Sequence, residues 1–229
     1  MLAGGLALGA WSGCGTGDAP PRPGHTAITR GRAHAVAPLL SIRQADLPEI
    51  KPSARLPVPR AREAIPSELS CSRSFVRHRP PSGLWGFAAS DRLTAGSGYH
   101  ISGASSTAFV MSTSAVARAT VARSPRGVRA EERCLRRALL RDLPPGLRVH
   151  DVVVRPLSAT VPGADASVAY EAAAGVQGAP LIVYFDSFHF VYGQDLIELT
   201  TYHSVAHVAS SWNERLLGLL VARARAHDR

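Results

Sequence analysis

The sequence predicts an α+β domain, an antiparallel sheet covered by helices. Three observations carry this. Strand-type runs follow one another without an intervening helix at Val149 to Leu157, Ser167 to Ala174, Leu181 to Val191 and Leu196 to His203. Helical stretches lie before and after that block, whereas a parallel sheet needs them between its strands. The segment Pro180 to Arg229 is also a complete layered unit, a hairpin feeding an amphipathic helix, each with an apolar face for the other to cover.

That last unit is the clearest. Leu181 to Val191 is rich in the β-branched and aromatic residues that suit a pleated surface. Tyr192-Gly193-Gln194-Asp195 supplies the turn, with Gly193 free to take positive φ. Leu196, Glu198, Thr200 and Tyr202 then alternate with Ile197, Leu199 and Thr201. Ser211 and Glu214 stand at capping-box spacing, and Trp212, Leu216, Leu219 and Leu220 form the expected apolar stripe of the closing helix.

Earlier in the chain, Leu39 to Leu47 reads as a short helix ended by Pro48. Trp85-Gly86-Phe87 and His100 to Ser112 read as strands, and the alanine-rich Ser114 to Arg123 as a helix broken at Ser124-Pro125-Arg126-Gly127. A helix over Ala130 to Leu143 stops at Pro144-Pro145-Gly146, and Pro162-Gly163 separates the next two strands.

At 229 residues the chain holds one well-buried core with appendages. Its formal charge is +9, almost all of it arginine, since Lys51 is the only lysine. The arginines are dispersed, with no basic run and no series of stacking aromatics, which argues against nucleic acid. A basic surface of this kind suits anionic envelope polymers or lipid headgroups.

Residues 1–14 read as an export signal. Met1 to Ala10 is an apolar run too short to span a bilayer, followed by Trp11-Ser12-Gly13-Cys14. This resembles a bacterial lipoprotein signal, in which the cysteine becomes the lipid-bearing N-terminus; Trp11 stands where that pattern usually has leucine. No Lys or Arg precedes the run, a departure from the pattern that a start upstream of Met1 would explain. Residues 15–35 read as a Pro/Gly-rich linker, with three prolines between Asp18 and Gly24, and residues 36–229 as a single extracytoplasmic domain. With Cys14 lipidated, Cys71 and Cys134 remain, and an even pair in an exported protein reads as a disulfide. Closing that loop would add about 4 kcal/mol on the chain-entropy model.

The residues also resemble a known family. Leu39-Leu40 with Ala45-Asp46-Leu47-Pro48, Cys71, Phe109-Val110, Cys134 and Gly193-Gln194-Asp195-Leu196-Ile197-Glu198-Leu199 are similar to Lpq-type actinobacterial lipoproteins of Mog1/PsbP-like fold. More distantly they resemble the extracellular sensor domains of PknH-type kinases. The resemblance implies an α/β/α sandwich, attachment to the outer face of the cytoplasmic membrane, and binding or sensing without a shared catalytic set.

Catalytic patterns are thin. His203 and His207 are four apart but straddle a strand end, and no third ligand joins them, so no metal or other cofactor is expected. Asp186 and His189 are an odd offset apart on one strand and so face opposite sides. Tyr99-His100-Ile101-Ser102-Gly103 lacks the first glycine of a nucleophile elbow. Gly13-Cys14-Gly15-Thr16-Gly17 mimics a phosphate loop without a strand before it. Asp195 and Glu198 flank a turn and are expected to solvate it.

Tyr184, Phe188 and Phe190 fall on one face of their strand, and Phe185 and Val183 on the other. A sheet covered on both sides would bury both sets. A sheet covered on one side would leave an apolar groove, lined by Tyr184, Phe188 and Phe190, for a lipid, glycan or peptide. The expectation is therefore a lipid-anchored, non-enzymatic envelope module whose partner is a lipid, a glycan or an envelope protein. The alternative is an envelope hydrolase or transferase.

Overall fold

The computed structural model describes residues 25–48, 50, 83–90, 93–97, 100–123, 132, 148–177, 181–204, 206–208 and 210–228. Their centre is one antiparallel sheet. Its strands are β1 (Leu84–Ala89), β2 (Leu93–Ser97), β3 (His100–Met111), β4 (Arg148–Leu157), β5 (Ala166–Gln177), β6 (Leu181–Tyr192) and β7 (Asp195–His203). The order is β1-β3-β7-β6-β5-β4, with β2 pairing the same edge of β3 as β1, so the two short strands share one long one. The predicted α+β class with an antiparallel sheet is what forms. Strand β2 had no counterpart in the sequence reading.

Helices cover both faces. Helix α1 (Arg30–Val36), the 3-10 turns Ala37–Leu40 and Gln44–Asp46, and the C-terminal helix α3 (Ser210–His227) lie over one face. There Ala104, Ala108, Phe188, Phe190, Ile197 and Leu199 meet Ala33, Leu40, Leu216 and Leu220. Helix α2 (Ser114–Arg123) covers the other face, where Ala117 and Val121 pack on Phe109, Met111, Val191 and Leu196. Two-sided cover explains why β6 is apolar almost throughout and not alternating.

The first helix falls within the stretch read as linker. Ile28 and Ala33 are buried, so the folded domain reaches back to at least His25. Gln194 fixes this segment from the β6–β7 turn: Oε1 accepts from the Ile28 amide at 2.6 Å, while Nε2 donates to the Met111 carbonyl at 2.8 Å. Gly193 takes φ +58 in that turn, as its position required. Further along, Arg223 of α3 grips Asp46 with both guanidinium nitrogens, at 2.7 and 2.8 Å, and donates to the Ser41 carbonyl at 2.7 Å.

Helix α3 is rotated from its predicted setting. Asn213, Leu216, Leu217, Leu220, Val221 and Ala224 are buried, at a spacing of three and four, while Trp212 and Leu219 are half-buried at its margin. Ser211 lies inside the first turn and does not cap it.

Asp195 also departs from expectation. It is buried, with Oδ1 lacking any partner, where solvation of the turn was expected. Burial and the nearby Asp228 carboxylate push its pKa up to about 8. Around it the two ends of the domain meet. His25 Nδ1 bonds Asp228 Oδ2 and its Nε2 lies 3.3 Å from Asp165 Oδ2, which also accepts from the Gly193 amide at 2.7 Å.

Cys14, Cys71 and Cys134 lie outside the described residues, as do the signal and almost all of the predicted helix Ala130 to Leu143. Among the described residues, no helix is long and apolar enough to cross a membrane.

Candidate functional site

The sheet face under α3 changes character along its strands. One transverse row, Leu157, Ala169, Phe188 and Leu199, is apolar and lies in or against the core. Two residues further along, the register aligns Arg155, Glu171, Asp186 and Thr201 into a polar row. Side chains two apart on a strand share a face, so the polar row continues the floor of the core in different chemistry.

Arg155 reaches this face through a β-bulge. The pairing of β4 with β5 shifts between His150 and Val153, where three steps on β4 match two on β5. Asp151 takes φ +48 there, a conformation that Asp tolerates better than most residues. The extra residue reverses the alternation of β4, which turns Val153 and Arg155 toward Ala173 and Glu171.

The loop from β7 to α3 closes over the polar row. Thr201 Oγ1 donates to Asn213 Oδ1 at 2.7 Å, and Asn213 Nδ2 donates to Asp186 Oδ2 at 3.1 Å. The other oxygen of Asp186 accepts from His207 Nδ1 at 2.7 Å. Thr201, Asn213 and Asp186 are all buried, so the chain anchors a ring whose own side chain is 39% exposed. Tyr184 packs on that ring with centroids 4.9 Å apart. The remaining nitrogen, Nε2, lies 4.0 Å from Glu171 Oε2. Val153, Arg155, Glu171, Ala173, Tyr184 and His207 line a cleft of about 230 Å³.

The anticipated groove residues separate here. Tyr184 lines the cleft, whereas Phe188 and Phe190 are buried in the core beneath the helices. Asp186 and His189 do face opposite sides: His189 meets Glu198 at 3.2 Å on the α2 face. The histidine that meets Asp186 is His207, twenty-one residues away. The odd offset within β6 excluded the wrong pair, and nothing in the local sequence pointed to the right one. Among the described residues, no group of three or more His, Cys, Asp or Glu could hold a metal ion.

No family model matches the chain, and no curated protein matches it. Among solved structures, the extracellular domain of PknH from Mycobacterium tuberculosis is similar at a TM-score of 0.44 and 8% identity, over 89% of this chain and 98% of that chain. A likeness of that size assigns neither family nor ligand.

Proposed function

We propose that this protein is an exported module, held at the outer face of the cytoplasmic membrane through a lipid on Cys14, that binds or senses a ligand without catalysis. Its domain is of the Mog1/PsbP-like α/β/α type and carries a Cys71–Cys134 disulfide. The observation that carries the binding role is the cleft at His207, where a buried chain of hydrogen bonds holds one exposed imidazole in place. Buried polar chains of this kind fix a side chain's orientation, which is what a recognition site needs.

The envelope hydrolase or transferase is the second reading, and the Asp186–His207 bond favours it, because a carboxylate on Nδ1 also orients a general base. Against it, Nε2 faces a carboxylate oxygen of Glu171, which has no proton for such a base to take, and among the described residues lining the cleft there is no Ser, Thr or Cys.

Native mass spectrometry of the protein purified from its host membranes tests the proposal. Expected are removal of residues 1–13, a diacylglyceryl mass on Cys14, loss of two hydrogens for Cys71 and Cys134, and a retained non-covalent mass. An unlipidated chain with free thiols and no retained mass would overturn it.

A further inference from the structure

The chemistry of the ligand can be read from the cleft, an inference that rests on the binding role proposed above. Asp186, acting as acceptor, takes the hydrogen on His207 Nδ1. In its neutral form the imidazole then presents Nε2 as an acceptor. Glu171 Oε2, a second acceptor, lies 4.0 Å from it. Two acceptors side by side call for a ligand with two adjacent donors.

Charge narrows the class. Arg155 is the register partner of Glu171 and lines the same cleft, so both signs are present. A phosphate would face Glu171 as well as Arg155, and a bare cation would face Arg155 as well as Glu171. A neutral molecule bearing hydroxyls satisfies both, donating to Nε2 and Oε2 and accepting from the guanidinium. Val153, Ala173 and the Tyr184 ring supply an apolar wall suited to the C–H face of a sugar. A cleft of about 230 Å³ takes one such ring.

We infer that the cleft binds a sugar unit of a glycan, with neighbouring hydroxyls donating to His207 Nε2 and Glu171 Oε2.

The test is saturation-transfer NMR on the full chain with methyl α-mannoside, methyl β-galactoside and N-acetylglucosamine. Zinc ion and inorganic phosphate are the contrasting probes. At least one sugar should bind. Affinity should fall about ten-fold in Glu171→Ala and His207→Ala, the loss of one hydrogen bond each, and stay unchanged in Arg30→Ala on the exposed side of α1. Circular dichroism establishes that the variants are folded. Silence of all three sugars, binding of zinc or phosphate in their place, or wild-type affinity retained in both cleft variants overturns the inference. Silence with a non-covalent mass still retained from host membranes sinks the sugar and leaves the binding role standing. Silence without that mass removes both.

Discussion

Replacing Asp195 with asparagine should stabilise the protein, by an amount that grows with pH. The carboxyl is buried, its Oδ1 has no partner, and its pKa stands at about 8 against 3.8 for the unperturbed group. The folded state thus holds a proton that the unfolded chain releases. A group whose folded pKa is raised contributes its full stability below the unfolded value and loses it as pH rises through the folded one. The window is therefore pH 3.8 to about 8. Within it the loss is about 1.4 kcal/mol per pH unit, or roughly 3 kcal/mol between pH 5 and pH 7. Asparagine keeps the shape and has no charge to bury. Urea unfolding of both proteins at pH 5, 6, 7 and 8 measures the difference directly, since groups common to both largely cancel. The stability of Asp195→Asn relative to wild type should climb across that series. A difference that stays flat with pH, or shrinks, would refute the buried, proton-holding carboxyl.

Other substitutions probe the supports of the cleft and of the domain's N-terminal segment. Thr201→Val removes the donor to Asn213 Oδ1 inside a buried chain and should cost about 1–3 kcal/mol in urea unfolding, with strong coupling to Asn213→Leu in a double-mutant cycle. Arg223→Met leaves Asp46 without its two-pronged partner; a loss of about 1–3 kcal/mol is expected, with faster amide exchange over residues 28–47. A Cβ on Gly86 would lie 2.3 Å from the Ala33 carbonyl oxygen, so Gly86→Ala should push α1 off the sheet at a cost of about 1–3 kcal/mol, read as a lowered Tm.

Much of the fold was legible because its elements are local. Period-two alternation in β7, the Gly193 turn and the span Ser114–Arg123 of α2 follow from residues close in sequence. Packing between distant segments decided the rest. The stripe of α3 centres on Leu216 and Leu220 and takes in Asn213, which bonds the buried Asp186, while Trp212 packs at its margin. Asp195 looked like a solvated turn residue, yet the His25 and Asp228 ends of the domain close over that turn. Helix α1 was hidden in a stretch taken for linker, since its few apolar residues acquire meaning only against Gly86 and the sheet.

The cleft shows the same division. Sequence alone determined that Tyr184 and Asp186 share a face of β6 with Phe188 and Phe190, because alternation is a property of the strand itself. Only the tertiary structure decided which members of that face are core and which are site. Helices cover both sides of the sheet and bury Phe188 and Phe190. The bulge at Asp151 sets Arg155 on the cleft side of the sheet, and the loop before α3 carries His207 onto Asp186. These are long-range contacts between residues that share no local pattern, and the physical reason is that burial and hydrogen bonding are settled by neighbours in space and not by neighbours in the chain.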